Sequence, residues 1–431
     1  MAKELDKTVY TRYGGSLETA SLAERDASCI WHPFTQAGIE KTQQPIVKGC
    51  GSYLYDPEGK GYLDAISSWW VNLHGHGHSY IAQSIAKQAY ELEHVLFAGY
   101  THPQAVRFAE RLLNLFSGTY SHLFYSDNGS TAVEVALKMA LQKDGAGKSV
   151  LALHGAYHGD TFGAMAAAGK SPYHKPFWPY LFKVHSVEAP LLGTEESSWK
   201  QFLTVLDAEA IAAFIFEPLV QGASGMRMLS AEPLEMMTAE CQKRGIAVIA
   251  DEVMTGFGRT GPLFASFKLK SAPDYICLSK GITGGFLPMG ATLVKRSVYE
   301  AFLSTEADKA FLHGHSYTAN PIACAAANAS LDLLLDAGCT EARERIAIEH
   351  QKFQDELSSH PKLKRCETRG TIFALEYNQL PIDRLSMVRF FQSEGIIVRP
   401  LGNVLYLLPP YCMDTLELQT IYKTIRKTLE W

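Results

Sequence analysis

Several features of other protein classes are missing from this 431-residue sequence. No apolar run approaches the roughly 18 residues that a membrane-spanning helix needs, and the opening residues lack the apolar stretch of a signal peptide. The net charge is −5, so nothing in the sequence suggests a nucleic-acid or membrane-surface partner. Internal repeats and low-complexity tracts are missing as well. These absences leave a globular protein.

Cysteine and histidine are present, but not in the spacings that disulfide frameworks or metal centres use. The eight cysteines are scattered and include no C-x-x-C pair, which favours reduced thiols in a cytoplasm. The histidine-rich stretch at 73–78 lies among glycines and has no second ligand cluster. We therefore expect a loop at a subunit or substrate surface there, and no bound metal.

Length and composition predict a large core and two domains. Hydrophobic residues make up 47% of the chain and charged residues 20%, and 431 residues are many for one compact domain. We place an N-terminal arm and a hairpin, which belong to the small domain, at 1–65. The large domain covers 66–320, and the C-terminal α/β part of the small domain covers 321–431. The hairpin is indicated by an Asp-Pro and glycine-rich turn at 56–61 between short apolar stretches.

Short apolar strands alternate with helical stretches from about residue 121 onward. Because the strands are almost continuously apolar, the sheet should be buried on both faces and therefore mostly parallel. In such sheets, ligands bind beyond the carboxyl ends of the strands. The predicted strands are 122–125, 149–153, 212–216, 247–250 and 275–278, and a long Ala- and Leu-rich helix is predicted at 323–335.

Small and aromatic residues follow two of these strands and suit a phosphate and a planar ring. At 126–131, small residues let the backbone approach a phosphate, and the following helix N-terminus offers free N–H groups. The alternative is an ordinary strand–helix turn, with a capping box from Thr131 to Glu134. Tyr157 follows the next strand, where it could stack on a planar cofactor or be a half-buried loop residue.

Charged residues follow three further apolar stretches. Asp251 ends a buried strand and could keep the pyridine nitrogen of pyridoxal phosphate (PLP) protonated, or act as a helix cap or metal ligand. Lys280 follows another strand and precedes a glycine-rich turn, so desolvation could give it the lowered pKa of a Schiff-base amine; the alternative is a lysine that extends into solvent. Arg399 could clamp a carboxylate. The glycine-rich run at 256–261 is interpreted as a flexible loop.

Together these segments resemble the class III aminotransferases, which have the type I PLP-transferase fold. The resemblance runs from about residue 31 to residue 411. It implies an α/β protein, with a mostly parallel sheet in the large domain and a smaller C-terminal α/β domain. The segments that carry it are Trp-His-Pro-Phe-Thr at 31–35, Ser-Ser-Trp-Trp at 67–70, Tyr-His-Gly-Asp-Thr-Phe-Gly at 157–163, Gly-Phe-Gly-Arg-Thr-Gly at 256–261, Asn-Pro-Ile-Ala-Cys-Ala-Ala-Ala-Asn at 320–328 and Tyr-Leu-Leu-Pro-Pro-Tyr at 406–411.

The resemblance also implies a PLP cofactor, a set of site residues and a homodimer. Lys280 would hold PLP and move the proton during transfer, and Asp251 would hold the pyridine nitrogen. The loop at 313–316 would reach into the active site of a neighbouring subunit. Further cofactor contacts would come from Gly129, Ser130, Tyr157, His315 and Ser316. The substrate would contact Trp69, Tyr157, Lys280, Gly314, Arg399 and Tyr406.

Within this family, the Trp-His-Pro and Ser-Ser-Trp-Trp segments resemble the branch that aminates 8-amino-7-oxononanoate in biotin biosynthesis. That branch implies S-adenosylmethionine as the donor, with Arg399 taking the donor's carboxylate. Two departures stand out: Phe34, expected in the active site, replaces a frequent tyrosine, and His315-Ser316 replaces a common Pro-Thr. Phe34 keeps lysine open as a donor. No acidic residue for lysine's second amine is evident among the matched pocket segments, which favours S-adenosylmethionine.

Two other functions are considered. Another class III enzyme, such as an ω-amino-acid transaminase or an aminomutase, would share Lys280 and Asp251 without needing the tryptophan segments. A non-catalytic scaffold with this fold would most simply lack Lys280 or Asp251, and both residues are present.

Overall fold

The structure, a computed structural model, describes residues 21–169 and 171–431, so residues 1–20 of the predicted N-terminal arm lie outside the described residues. The strands are β1 (Lys48–Cys50), β2 (Tyr53–Tyr55), β3 (Gly61–Asp64), β4 (His122–Ser126), β5 (Ser149–Leu153), β6 (Val184–Val187), β7 (Ile211–Phe216), β8 (Val220–Gln221), β9 (Arg227–Met228), β10 (Ala247–Asp251), β11 (Tyr275–Leu278), β12 (Gly290–Val294), β13 (Leu363–Arg369), β14 (Ile372–Tyr377), β15 (Ile396–Ile397) and β16 (Val404–Leu407).

Helices alternate with these strands, as the sequence pattern indicates. The α-helices are α1 (Leu22–Cys29), α2 (Ser79–Glu91), α3 (Pro103–Asn114), α4 (Gly129–Asp144), α5 (Phe162–Ala167), α6 (Glu195–Ala208), α7 (Ala231–Lys243), α8 (Arg296–Glu300), α9 (Pro321–Leu334), α10 (Ala337–Leu357), α11 (Arg384–Ser393) and α12 (Thr415–Glu430). Short 3₁₀ helices occur at Pro172–Tyr180, Ala265–Lys268, Lys280–Thr283 and Ala307–Lys309.

The largest sheet has seven strands in the order β4-β12-β11-β10-β7-β5-β6. β12 is antiparallel to both neighbours, and the other pairings are parallel, which confirms the mostly parallel sheet. Successive residues of β10 enter two different cores: Val248 and Ala250 join the main core, and Ile249 joins a second core with residues of α4. The sheet is therefore buried on both faces, which explains its continuously apolar strands.

The five predicted strands form within one residue of their expected bounds, but the sequence pattern misses the other two strands of this sheet. β6 lies at the edge of the sheet and carries the polar residues His185 and Ser186, so it has no apolar run. β12 begins at Gly290, two residues after Pro288, and this proximity of proline and glycine is more typical of a turn. Both segments form strands because they hydrogen-bond to neighbouring strands of the sheet. A local sequence pattern does not show these long-range pairings.

The predicted N-terminal hairpin forms and joins a distant part of the chain. β2 pairs antiparallel with β3, and β3 pairs in parallel with β15, where Leu63 lies opposite Ile396. A separate three-stranded sheet has the order β13-β14-β16. Residues near both ends of the described chain thus share one sheet, while the domain boundaries stay a prediction.

Helix α9 is the long Ala- and Leu-rich helix that the sequence predicts. Asn320 caps it by accepting hydrogen bonds from the N–H groups of Ile322 and Ala323, and Pro321 occupies its first turn. In the described part of the chain, no single helix is long and apolar enough to cross a membrane. Helices α9 and α10 together are long and apolar enough, but they are bent by 70° relative to each other. Most of α9 is buried in the core.

The glycine-rich run at 256–261 is packed, so the prediction of a flexible loop is wrong. Phe257 and Arg259 are 3% and 1% exposed. The guanidinium of Arg259 donates to the backbone oxygens of Pro409 at 2.7 Å and Asn72 at 2.9 Å. A Cβ on Gly258 would clash with the Arg343 guanidinium, so this glycine is needed for packing rather than for mobility.

Candidate active site

Two adjoining cavities lie at the carboxyl edge of the large sheet. The smaller, of about 450 Å³, is lined by residues that follow β4, β5, β7, β10 and β11. The larger, of about 680 Å³, opens toward residues 34–40 and 399–402. Trp70, Val71, Tyr157 and Lys280 line both cavities. A molecule in the larger cavity therefore meets one in the smaller cavity at Lys280.

Lys280 lies where the two cavities meet, two residues after the end of β11. Desolvation lowers the pKa of its ammonium to about 8, against the opposing effect of the carboxylates of Asp251 and Glu217. Its Nζ is 4.4 Å from the centroid of the Trp70 ring. A lysine in these surroundings has a substantial neutral fraction near physiological pH, as an amine nucleophile requires.

Asp251 ends β10 and forms a buried pair with His158. Asp251 Oδ2 is 2.7 Å from His158 Nδ1, and its Oδ1 accepts the Val253 N–H at 3.0 Å. The ring of His158 is buried, and its Nε2 has no hydrogen-bonding partner among the described residues. The imidazole fixes one carboxylate oxygen and leaves Asp251 lining the smaller cavity. His158 lies in the matched segment at 157–163, but the sequence analysis missed this pairing because the two residues are 93 positions apart.

Glu217 is a second buried carboxylate, and the sequence analysis missed it. It follows β7 and accepts the N–H groups of Tyr157 at 3.0 Å and Gly222 at 2.9 Å. Burial raises its pKa to about 7. The available signal was an acidic residue directly after the fully apolar strand β7, at the same sheet edge as Asp251. Glu217 thereby fixes the backbone of Tyr157, whose hydroxyl donates to Asp160 at 2.8 Å.

The part of the smaller cavity that the start of α4 lines suits a phosphate. Gly129 and Ser130 begin α4, so their N–H groups have no partner within the helix, and both residues line the cavity. A Cβ on Gly129 would lie 2.7 Å from a methyl carbon of Val253, and one on Gly159 would lie 2.1 Å from Ser130 Oγ. Only glycine fits at these two positions, which keeps the backbone close to the cavity.

The predicted capping box from Thr131 to Glu134 is wrong. Asn128 is the N-cap of α4 and forms the reciprocal hydrogen bonds with Thr131. Glu134 instead accepts the Thr161 hydroxyl at 2.5 Å and the Gly163 N–H at 2.8 Å, so it joins α4 to the segment that begins α5. The first turn of α4 stays free of acidic side chains.

Taken together, the smaller cavity fits PLP. It offers a helix N-terminus for the phosphate, a carboxylate for the ring nitrogen, an aromatic side chain for the ring face and an amine for the carbonyl carbon. The residues that would supply these contacts are Gly129, Ser130, Tyr157, Asp251 and Lys280.

The larger cavity combines aromatic rings and charged groups. Phe34 and Trp69 meet edge to face with ring centroids 5.4 Å apart. The Arg399 guanidinium lies 4.5 Å from the Trp69 centroid and donates to the Phe34 backbone oxygen at 3.1 Å. The three predicted residues are thus brought together, with a cation and apolar surface facing the same space.

A left-handed turn at Ser67–Trp70 places both tryptophans. All four residues have positive φ, of 51°, 45°, 70° and 75° in order, which costs L-residues roughly 1–2 kcal/mol each. Ser67 donates to the Leu408 backbone oxygen at 2.7 Å, and Ser68 donates to Asp64 Oδ2 at 2.8 Å. These bonds hold Trp69 toward the larger cavity and Trp70 beside Lys280.

Four predicted residues lie outside the lining of both cavities. Tyr406 is 1% exposed and sits behind Trp70, whose Nε1 donates to its hydroxyl at 3.0 Å. Gly314 and Ser316 are exposed, and His315 is partly buried on the same loop. Their contact with a neighbouring subunit stays a prediction.

Glu40 corrects the expectation that the pocket segments hold no acidic residue. It lines the larger cavity, and its Oε1 accepts from Arg384 Nη2 at 3.2 Å and from the Gln36 N–H at 3.3 Å. Sequence comparison missed it because Glu40 lies just beyond the matched segment at 31–35. A carboxylate for a donor's second cationic group is therefore present, so charge alone does not disfavour lysine.

The histidine-rich stretch serves structural contacts. His76 lies 2.8 Å from Asp64, and His74 lies 3.1 Å from the Ser330 hydroxyl. Across residues 21–169 and 171–431, no group of three or more His, Cys, Asp or Glu residues is arranged to hold a metal ion.

The fold and the site define a PLP-dependent transferase of amino groups. The family model for class III aminotransferases matches residues 35–429, and the chain belongs to that family. It is 45% identical over 421 residues to an adenosylmethionine-8-amino-7-oxononanoate aminotransferase of Synechococcus elongatus, covering 93% of this chain and 98% of the relative.

Solved structures agree with this assignment. An adenosylmethionine-8-amino-7-oxononanoate aminotransferase from Methanocaldococcus jannaschii superposes with a TM-score of 0.88 at 31% identity, covering 94% of this chain and 98% of that one. A PLP-bound amine transaminase from an uncultivated Pseudomonas species gives 0.87 at 30% identity, covering 93% and 98%. The chain is an aminotransferase with PLP as its cofactor.

Proposed function

We propose that this enzyme transfers an amino group from S-adenosylmethionine to 8-amino-7-oxononanoate, giving 7,8-diaminononanoate in biotin biosynthesis. The observation that carries the proposal is the larger cavity, which joins the cofactor cavity at Lys280 and combines Phe34, Trp69 and Arg399. Aromatic faces suit a sulfonium cation, and a guanidinium suits a carboxylate. The names of the relatives from Synechococcus elongatus and Methanocaldococcus jannaschii support the same reaction.

We infer the following roles around the cofactor. PLP, when bound, supplies an electron sink for the transfer. Asp251, held by His158, keeps the ring nitrogen protonated, and the N–H groups of Gly129 and Ser130 bind the phosphate. Lys280 would hold the carbonyl carbon of the cofactor. Its neutral amine would take the proton from the donor carbon that bears the reacting nitrogen.

The substrate is held on the other side of Lys280. Arg399 binds the donor's carboxylate, and Trp69 and Phe34 offer aromatic surface to the donor's cationic side chain. Both substrates use the same cavity, so the donor's product leaves before the acceptor binds. Ping-pong kinetics follow from this arrangement.

We further propose a cytoplasmic homodimer with shared active sites. In it, Gly314, His315 and Ser316 of one subunit complete the cofactor site of the other. The domain division at 1–65, 66–320 and 321–431 belongs to the same proposal, supported by the pairing of β3 with β15.

Single-turnover absorbance tests the reaction. Mixing the PLP form with S-adenosylmethionine should convert the cofactor to its amine form, and 8-amino-7-oxononanoate should then restore the starting spectrum. Lys280→Ala protein should show neither change. Lysine, tested in parallel, is the second candidate donor because Glu40 offers its side-chain amine a carboxylate. Rapid conversion by lysine with none by S-adenosylmethionine would replace the donor in this proposal.

A further inference from the structure

His76 belongs to the histidine-rich stretch at 73–78 and lines neither of the two cavities. Its Nε2 lies 2.8 Å from Asp64 Oδ2, and its Nδ1 lies 3.1 Å from Asn72 Nδ2. The backbone of His76 is bonded to Gly51 in both directions, at 2.8 Å through its N–H and at 3.0 Å through its oxygen. Both ring nitrogens and the backbone of this histidine therefore have fixed partners.

The hydrogen bonds of Asn72 determine which ring nitrogen of His76 carries the proton. Asn72 Oδ1 accepts the Gly75 N–H at 2.7 Å, so the end of the amide that faces His76 is the Nδ2 donor. His76 Nδ1 must then accept, and the ring proton lies on Nε2, from which it is donated to Asp64. The imidazole is thus a neutral donor with a fixed direction.

Asp64 connects His76 to the left-handed turn at Ser67–Trp70. The side chain of Asp64 is fully buried at the end of β3, and its Oδ2 accepts from both His76 Nε2 and the Ser68 hydroxyl, each at 2.8 Å. The torsion that turns an aspartate carboxylate is broad, so the side chain has little preference of its own. Without His76, the carboxylate would be free to rotate away from Ser68.

Trp69 depends on this turn for its position. Its side chain is 36% exposed, and its ring meets Phe34 and Arg399, which line the same cavity. A substrate in that cavity contacts the same groups, so they do not fix the ring independently of the substrate. The φ angles of 45° at Ser68 and 70° at Trp69 are unfavourable for L-residues, and bonds from outside the turn are needed to maintain them.

The alternative role of His76 is stability alone, as a donor that satisfies a buried carboxylate. Asp64 already has two other donors, the Ser68 hydroxyl and the Ile66 N–H, which lies 3.3 Å from Oδ1. Each carboxylate oxygen would therefore keep one hydrogen bond if His76 were absent. What the imidazole adds is a fixed direction for Oδ2, the oxygen that holds the residue next to Trp69.

We propose that His76 is a positioning residue for Trp69, which it orients through Asp64 and Ser68. This chain of hydrogen bonds holds the turn, and the turn holds the indole where the cationic side chain of the donor binds. The inference rests on the proposed function and deepens it, because it names the groups that set the affinity of the larger cavity. His76, Asp64 and Ser68 line neither cavity, so they affect binding and not the proton transfer at Lys280.

Two amides at position 76 test the proposal. The amide nitrogen of glutamine reaches the place of the imidazole Nε2, whereas that of asparagine reaches only the place of Nδ1. His76→Asn should lose the bond to Asp64 and raise the apparent dissociation constant for S-adenosylmethionine about fivefold, equivalent to about 1 kcal/mol. His76→Gln should stay close to the wild type. Cofactor absorbance of the holoenzymes in the half-reaction measures the affinity, and the limiting rate at saturation should be unchanged in both variants.

Ser68→Ala removes the last bond of the same chain, so a double variant tests whether His76 acts through it. His76→Asn combined with Ser68→Ala should bind S-adenosylmethionine no more weakly than Ser68→Ala alone. The proposal is overturned by losses that multiply in the double variant. Equal effects of the two amides at position 76, or a lower limiting rate at unchanged affinity, overturn it as well.

His350→Asn is the matched control, because His350 is another buried histidine with partners at both ring nitrogens. Its Nδ1 lies 2.6 Å from the Tyr422 hydroxyl and its Nε2 lies 3.2 Å from the Thr371 backbone oxygen, and it lines neither cavity. This substitution should lower the melting temperature and leave the affinity for S-adenosylmethionine unchanged. If His76→Asn shows the same pattern, His76 serves stability alone.

The wild-type enzyme separates this inference from the proposed function. If it reacts with S-adenosylmethionine while the two amide variants behave alike, only the inference fails. If it reacts with lysine instead, the proposed donor is wrong, and lysine becomes the probe in the same comparison because its side-chain ammonium is also a cation. A wild-type enzyme that reacts with neither compound overturns both.

Discussion

At the scale of single residues, the position of Lys280 determines when its amine can react. Desolvation lowers the pKa to about 8, so the neutral amine predominates above that pH instead of above about 10. The rate at which apo-protein captures PLP should therefore rise with pH up to about 8 and level off above it. Stopped-flow absorbance between about pH 6 and about pH 10 measures this rate.

Lys280→Ala apo-protein is the control for that measurement, because it can bind PLP without forming the covalent link and should lack the absorbance change. A capture rate that continues to rise about tenfold per pH unit through pH 10 would mean that Lys280 has the pKa of an ordinary lysine.

At the scale of elements, the left-handed turn at Ser67–Trp70 stores strain beside the site. Ser68→Ala removes the hydrogen bond to Asp64 and keeps a Cβ at φ 45°, whereas Ser68→Gly removes the same bond and relieves the strain. Urea unfolding of the two holoenzymes should therefore find the alanine variant less stable by about 1 kcal/mol. Both variants should bind substrate more weakly, because Trp69 is less firmly held.

Comparing the two substitutions isolates the backbone effect, since the lost hydroxyl is common to both. Equal free energies of unfolding for Ser68→Ala and Ser68→Gly would contradict the left-handed conformation.

Elements also show how far the sequence alone can predict this structure. Continuous apolar runs located five strands and the sheet edge where Asp251 and Lys280 meet, because burial on both faces leaves a strong local signal. β12 has no such local signal, because it forms a strand only through its pairing with β4 and β11. The site follows the same rule: individual side chains at strand ends were predictable, but the pairing of Asp251 with His158 and of Glu40 with Arg384 depends on tertiary contacts.

At the scale of the whole molecule, the loop that carries Gly314, His315 and Ser316 tests the shared-site arrangement. Mixing inactive Lys280→Ala chains with inactive chains altered at His315 and Ser316 should restore one competent site in each mixed dimer. Random pairing would then give about a quarter of wild-type activity, because half of the dimers are mixed and each has one of two sites. Activity of the randomly paired mixture measures the recovery, and the purified mixed dimer should have about half of wild-type activity because one of its two sites is competent.

Mixing Lys280→Ala with Lys280→Arg chains provides the control and should restore nothing, since neither chain has the lysine. Well-formed mixed dimers that stay inactive would place the loop outside the neighbouring active site.

The cofactor cavity takes its walls from five strands whose site residues extend from Gly129 to Lys280. An unfolded chain has no such cavity, so PLP binds the native state far more tightly than the unfolded one. A ligand with that preference stabilises folding by about 2.7 kcal/mol when its concentration is about a hundred times its Kd. The stability of the folded enzyme therefore rises with the concentration of PLP, so a shortage of the cofactor increases the share of chains that are unfolded.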